Sequence, residues 1–268
     1  MSWWHEKRWQ RWQRHHPFPA QAWAQVTAAL PILAGFDEKT LARLGARSWR
    51  LLFELRWRLP EGLEWDAAQR LSLSAQIALM TLAWPEHHAR EALADAREVI
   101  LVPGPFRRQV QEMDEAGVMH EFEDERAGET SWHGPVALSL EELAQGGDWS
   151  GFNIVIHEFA HRIDMTGDGD VNGMPALPRR ITAREWYDTF FSAWQSLQQT
   201  LERGEPAPID DYAATHPSEF FAVCCEYFFT APDTLDATWP DLYRLMTRFF
   251  DQDPLARLPA QAPPREET

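Results

Sequence analysis

The chain has 268 residues, of which 44% are apolar and 25% charged, so it contains enough apolar material for a substantial buried core. This composition excludes a disordered or fibrous protein. Lys and Arg number 25 against 41 Asp and Glu, which gives a net charge of −16. Because that charge repels phosphate backbones and anionic lipid, we expect neither nucleic acid nor a membrane as a partner of the protein body.

The cysteine pattern and the absence of long apolar stretches suggest a compartment. Cys224 and Cys225 are adjacent in an apolar run, and neighbours in sequence rarely reach the separation that a disulfide needs. They are predicted to be reduced core thiols. No stretch approaches the roughly 18 consecutive apolar residues of a membrane span, and residues 1–16 lack the apolar middle of a secretion signal. A soluble cytoplasmic protein is therefore expected.

Residues 1–19 form an N-terminal arm in which aromatic and basic residues alternate up to Pro17 and Pro19. Such interleaving occurs in RNA-binding segments and at membrane surfaces. Against the acidic background, the favoured interpretation is a terminal arm whose tryptophans lie on the domain.

The elements that follow indicate one domain over residues 20–253. From about 20 to 95 the pattern is helical, with three-and-four apolar spacing over 36–50 and 71–84. A β-branched run at 99–102 and the segment 134–140 predict two short strands, separated by the polar stretch 106–130. Helices are predicted over 151–164, 182–202, 217–229 and 241–250. We expect an α+β fold with a small sheet in a mainly helical body, the sheet and the later helices occupying 96–253, and a flexible tail over 254–268.

The motif H-E-x-x-H occurs at His157–His161. On a helix, at about 100° per residue, His157, His161 and Asp164 form one polar stripe, while an apolar stripe occupies the opposite face. Two imidazoles one turn apart point at a common site, as two metal ligands must. Glu158 lies beside the stripe, where it can hold a water without binding the metal, and Asp164 is placed to orient an imidazole.

A zinc site of this kind needs a third protein ligand and an open position for water. Glu219 is the best candidate, because its helix is apolar nearly all round and a buried carboxylate is costly unless it is paired or bound to metal. A glutamate in the first turn is also favoured by the helix dipole without any metal. Glu226, on the same face, is the alternative ligand or an outer partner, and His216 is a weaker third choice.

The loop GDGDVNG at 167–173 imitates the first half of a calcium-binding EF-hand. Position twelve of that template would fall on Arg179, where a bidentate glutamate is required. The loop is therefore interpreted as a helix exit and turn.

Several motifs in order resemble the Mlc titration factor A family of bacterial cytoplasmic zinc metallopeptidases, which are of the gluzincin type. They are EVILVPGPF, GPVALSL, SGFNIVIHEFAHRIDM, IDDYAATHPSEFFAVCCEYFFTAP and FFDQDPLARL, which together span about residues 98–258. The resemblance implies a zincin-like fold with its small sheet next to the H-E-x-x-H helix. It also implies one zinc ion on His157, His161 and Glu219, with Glu158 as general base and acid and Tyr212 stabilising the oxyanion.

The resemblance further implies aminopeptidase-type cleavage of peptide substrates and binding of the glucose-responsive repressor Mlc, which controls phosphotransferase genes. In the expected reaction Glu158 deprotonates a zinc-activated water, and the predicted strand at 135–140 pairs with an extended peptide along its edge. The competing hypothesis is a zinc-stabilised protein without catalytic activity that sequesters a transcription repressor. A helix pair without metal is the third alternative.

Overall fold

The computed structural model describes residues 3–94, 96, 98–104, 106–113, 119–126, 128–130 and 134–259. The N-terminal part is helical and comprises α1 (Trp3–His15), α2 (Ala20–Ala29), α3 (Glu38–Glu54), α4 (Ala67–Met80) and α5 (Glu86–Ala92). The helices predicted over 36–50 and 71–84 correspond to α3 and α4. Helix α4 begins earlier than expected because Asp66 and Gln69 form a reciprocal capping box.

The N-terminal arm is the helix α1, which packs along α3. Trp9 is buried, and the Trp12 ring lies 4.7 Å from that of Trp49 between ring centroids. Trp3 and Trp4, in contrast, are 59% and 70% exposed. The expectation that the tryptophans lie on the domain therefore holds for Trp9 and Trp12 and is wrong for Trp3 and Trp4.

The strands are β1 (Arg56–Arg58), β2 (Glu98–Val102), β3 (Phe106–Met113), β4 (Met119–Arg126), β5 (Gly128–Thr130) and β6 (Val136–Ser139). One sheet has the order β1-β2-β6-β5, in which the first three strands are parallel and β5 is antiparallel to β6. Strands β3 and β4 form a separate antiparallel pair. Both predicted strands are present, whereas β3, β4 and β5 arise within a polar stretch that carried no strand prediction.

The position of β6 corrects one expectation. It was predicted to offer its edge to a peptide, but it pairs with β2 on one side and with β5 on the other. Its backbone groups are thus already used by the sheet. Among the described strands, the free edge on this side of the sheet belongs to β5.

The rest of the described chain is helical, with α6 (Leu140–Leu143), α7 (Ile154–Asp164), α8 (Ala183–Glu202), α9 (Pro217–Thr230), α10 (Pro232–Thr238) and α11 (Pro240–Phe250). The four helices predicted here are confirmed as α7, α8, α9 and α11. Cys224 and Cys225 on α9 are buried and unbridged, and burial raises the pKa of both thiols. No helix in the described ranges has the length and apolar character needed to cross a membrane.

The core around α9 is aromatic and holds the C-terminal helices together. Phe220 lies 4.9 Å from Phe190 of α8, and Phe228 lies 5.3 Å from Phe250 of α11, measured between ring centroids. Beyond α11, Leu255–Arg257 form a 3₁₀ turn, and Arg257 donates to the carbonyl of Ile32. Residues 260–268 of the predicted flexible tail lie outside the described residues. The α+β class, with a mainly helical body around a small sheet, is confirmed.

Candidate metal centre

Helix α7 presents two imidazoles on one face because its opposite face is held in the core. Val155, Phe159 and Ile163 are fully buried, which fixes the rotation of the helix. His157 and His161 then lie one turn apart on the other face, and their Nε2 atoms are 3.3 Å from each other. The predicted pair is thus brought together at one point.

Glu219 reaches that point from the first turn of α9. Its Oε2 lies 3.2 Å from His157 Nε2 and 3.3 Å from His161 Nε2. His216, the weaker candidate, is the N-cap of α9, where its Nδ1 accepts from the backbone N–H of Ser218. It is absent from the cluster of ligand atoms, which consists of His157, His161 and Glu219 within the described chain.

The outer partner of the site is Glu226, two turns further along α9. Its Oε1 lies 2.9 Å from His157 Nδ1, and its Oε2 accepts from the backbone N–H of Asn153 at 2.5 Å. The Asn153 side chain caps α7 by accepting from Ile156 N–H, and donates to Gln76 Oε1 on α4 at 2.7 Å. One buried carboxylate therefore orients an imidazole and ties the start of α7 to α9.

Asp164, which was predicted to orient an imidazole, is hydrogen-bonded to the loop after α7. Its Oδ2 accepts from the backbone N–H of Gly173 at 2.8 Å, in the loop after α7. His161 Nδ1 is buried without a hydrogen-bond partner among the described residues, as is Asp164 Oδ1. The chain turns directly after Asp164, and the hydrogen bond from Gly173 to this carboxylate closes the loop that follows α7. No hydrogen bond joins Asp164 to an imidazole among the described residues, although the nearby His161 helps to lower the pKa of this carboxyl, which burial raises. That Asp164 orients an imidazole stays a prediction.

The two remaining predicted residues lie around the cluster. Glu158 is 2% exposed on α7, and it contributes to raising the pKa of His157. Tyr212 lies in a 3₁₀ turn (Asp211–Ala214) that Asp210 caps by accepting from the Tyr212 N–H. The Tyr212 ring is 6.4 Å from the His157 ring between centroids.

The charges of the cluster depend on one another. Burial alone would raise the pKa of the Glu219 carboxyl, but His157 and His161 hold it below its ordinary range. Burial would likewise lower the pKa of His157, whereas Glu219 and Glu226 raise it well above its ordinary value. Burial raises the pKa of Glu226. These side chains form a compact, electrostatically coupled group with the carboxylates facing the imidazoles.

The donor set fits a tetrahedral cation. Zinc bonds of about 2.0–2.1 Å in tetrahedral geometry place ligand atoms roughly 3.3–3.4 Å apart. The three separations here are 3.2, 3.3 and 3.3 Å. Glu219 Oε2 is buried, and none of its contacts in the described chain has hydrogen-bond geometry. Two nitrogens and one oxygen therefore converge at a spacing that suits a tetrahedral cation such as zinc.

Sequence reasoning missed the support that Asn153 and Gln76 provide. Asn153 precedes an apolar-periodic segment and carries the usual N-cap signal, so it could have been found. Gln76 is a buried amide in the second half of α4, and nothing in its spacing relates it to α7.

Comparisons with known proteins agree with this site. The profile of the family described as glucose-regulated metallo-peptidase M90 matches residues 1–251, and the chain belongs to this metallopeptidase family. It is similar to Mlc titration factor A of Pectobacterium atrosepticum, with 36% identity over 238 residues that cover 87% of each chain. It is also similar to Mlc titration factor A of Serratia proteamaculans, with 34% identity over 251 residues, 92% of this chain and 94% of the relative. The protein of the same name from Yersinia pestis is 34% identical over 267 residues, 96% of this chain and 97% of the relative.

Proposed function

We propose that the protein is a zinc peptidase of aminopeptidase type. The observation that carries the proposal is the convergence of His157 Nε2, His161 Nε2 and Glu219 Oε2 at tetrahedral ligand spacing. Metallopeptidase family membership supports it. A cytoplasmic location belongs to the same proposal, supported by the two buried free thiols of α9.

Each surrounding residue has one task in the proposed reaction. Zinc bound by the three side chains would supply a Lewis acid and a water whose pKa is lowered toward about 7. Glu158 accepts a proton from that water and passes it to the leaving amine. The Tyr212 hydroxyl donates a hydrogen bond to the oxygen that becomes negatively charged. Glu226 keeps His157 in the orientation and tautomer that ligation requires.

The substrate is proposed to be an extended peptide bound along β5. Strand β5 is antiparallel to β6, and its outer side is unpaired among the described strands. It lies beside α7, which carries both imidazoles. Pairing between the peptide backbone and a strand edge provides affinity with little dependence on side chains.

The test is the zinc content of the purified protein, together with hydrolysis of a panel of amino-acid anilides before and after chelation and zinc restoration. We expect about one zinc per chain, and turnover that the chelator removes and zinc restores. Metal-free protein would contradict the ligand set. Zinc without turnover on any anilide would contradict the peptidase assignment.

Two variants assign the roles separately. Glu158→Gln is expected to keep zinc and to lose at least a hundredfold in kcat, because the proton acceptor is gone. His161→Ala is expected to lose the metal itself, as elemental analysis would show. Wild-type turnover in Glu158→Gln, or undiminished zinc in His161→Ala, would refute the corresponding assignment.

Binding of an Mlc-type transcription repressor is the second candidate function. It is supported by the shared name of the relatives, Mlc titration factor A, and by their similarity over most of the chain. The two functions separate in the Glu158→Gln variant. If the protein acts by sequestering the repressor without hydrolysis, this variant will relieve repression as well as the wild type. If cleavage is needed, relief will disappear together with turnover.

A further inference from the structure

The outward face of α1 is a surface of unusual composition. At about 100° per residue, Trp9 and Trp12 face the body, while the exposed residues opposite them cover an arc of about 140°. That arc carries Trp3, Lys7, Arg8, Arg11 and Arg14 together with Trp4 and His15, and we call it the α1 outer face. It contains every Lys and Arg of the helix and no carboxylate.

The single acidic residue of α1 is turned away from this face. Glu6 pairs with Arg50 of α3 at 2.9 Å, an arginine that also contacts Glu54 and Glu86. Lys7, Arg8, Arg11 and Arg14 are exposed and form no ion pair with a described residue. Four cations therefore face outward in a chain whose net charge is −16. The net charge of the whole molecule argues against a polyanion that contacts the entire surface. It does not describe the local charge of the α1 outer face, which is positive.

The arrangement fits the surface of an anionic bilayer. Exposed tryptophans prefer the interface between headgroups and acyl chains, and neighbouring Lys and Arg side chains reach lipid phosphates. A helix about 10 Å across is wider than the Debye length of about 8 Å at physiological salt. Exposed carboxylates on the far side of the helix are therefore more than one Debye length of surrounding solvent away from a bilayer on the α1 outer face, which weakens their repulsion.

Nucleic acid fits the same face less well. Base stacking needs an open aromatic face, but Lys7 Nζ lies 3.7 Å from the centroid of the Trp3 ring and covers one of its two faces. Trp3 also contacts Trp4 edge to face, with the ring centroids 4.7 Å apart. Insertion into a headgroup layer leaves both contacts intact. We propose that the α1 outer face is a peripheral docking surface for anionic lipid.

The test is co-sedimentation of the full-length protein with phosphatidylcholine vesicles that contain or lack phosphatidylglycerol. We expect binding only to the anionic vesicles, weakening as salt is raised. Replacing Lys7, Arg11 and Arg14 with Gln should weaken this binding about a hundredfold. Replacing Trp3 and Trp4 with Ser should weaken it as well, because the interfacial anchors are lost.

A matched triple variant controls for net charge. Lys39→Gln, Arg56→Gln and Arg179→Gln remove the same charge at exposed sites outside α1 and should leave vesicle binding unchanged. All these side chains are exposed, so unchanged melting curves should accompany every variant. The proposal is overturned if the control weakens binding equally or if the anionic vesicles do not bind. It is also overturned if polyuridylate or polyglutamate binds more tightly than the vesicles and displaces them.

Discussion

Glu226 is the residue that connects the candidate metal site to the fold. One of its oxygens faces His157 Nδ1, and the other accepts from the N–H of Asn153. Its burial is tolerated because both oxygens have partners. A carboxylate in this position orients the ligand before any metal arrives, which lowers the entropic cost of binding.

Glu226→Gln should therefore weaken zinc binding by about ten- to a hundredfold without removing a ligand. The amide keeps the shape of the side chain but cannot accept through both of its terminal atoms. Competition with a chelator of known affinity measures the change. Glu202→Gln, an exposed glutamate at the end of α8, is the control and should bind zinc as the wild type does. Equal affinity in both variants would show that Glu226 does not support the site.

Tyr212 should act on the transition state more than on substrate binding. Tyr212→Phe is expected to lower kcat by about a hundredfold or more and to change KM little, because the hydroxyl is needed only when the oxygen becomes negative. Anilide kinetics measure both constants. Tyr187→Phe removes a half-exposed hydroxyl on α8 and should have no effect. A change confined to KM would assign Tyr212 to substrate binding instead.

At the scale of elements, Gly173 joins the helices that carry the site. Its N–H donates to Asp164 at the end of α7, and its carbonyl accepts from Trp186 of α8. It has φ of +79°, and a Cβ here would lie 2.9 Å from the carbonyl oxygen of Pro217, the first residue of α9. The loop after α7 thus fixes where α9, and with it Glu219, begins.

Gly173→Ala should destabilise the protein by roughly 3 kcal/mol, from left-handed strain and the contact with α9 together. Gly204 supplies a matched control, because its φ is +68° but a Cβ there meets nothing within 4 Å. Gly204→Ala should cost only about 1 kcal/mol from the backbone strain alone. Urea denaturation measures both variants, and equal losses would show that the contact with α9 carries no energy.

At the scale of the whole molecule, a bound metal would link stability to zinc concentration. The proposed ligands come from two helices far apart in sequence, so an unfolded chain does not bring them together. At a free zinc concentration of about a hundred times Kd, the folded state gains about 2.7 kcal/mol. Chelation should lower the melting temperature of the wild type and leave that of His161→Ala unchanged. A wild-type melting curve insensitive to the chelator would favour the helix pair without metal.

Whether a feature of the site could be predicted depends on how far apart in the sequence its interacting residues lie. His157 and His161 are one turn apart, so local spacing alone predicted their shared face. Glu219 could be identified because a carboxylate in an apolar helix requires a partner. Glu226 stayed ambiguous between ligand and outer partner, since its role depends on how α9 approaches α7.

The errors have the same origin. The hydrogen bond from Gly173 to Asp164 was not foreseen, because the loop that provides it closes only in the folded chain. Strands β3 to β5 were missed because their polar sequence has no apolar alternation, and their pairing is specified by neighbours elsewhere. The pairing of β6 on both sides could not be predicted without β5.

The separation of the proposed ligands along the chain has a consequence for biosynthesis. Residues 162–218 lie between the histidine pair and Glu219, and Glu226 follows later still. A growing polypeptide emerges from its N-terminus, so the two imidazoles leave the ribosome well before either carboxylate. An incomplete chain therefore presents only two of the three ligands. If these residues hold the metal as proposed, tight binding must wait until α9 has been synthesised and packed, and an incomplete chain would lack the complete site.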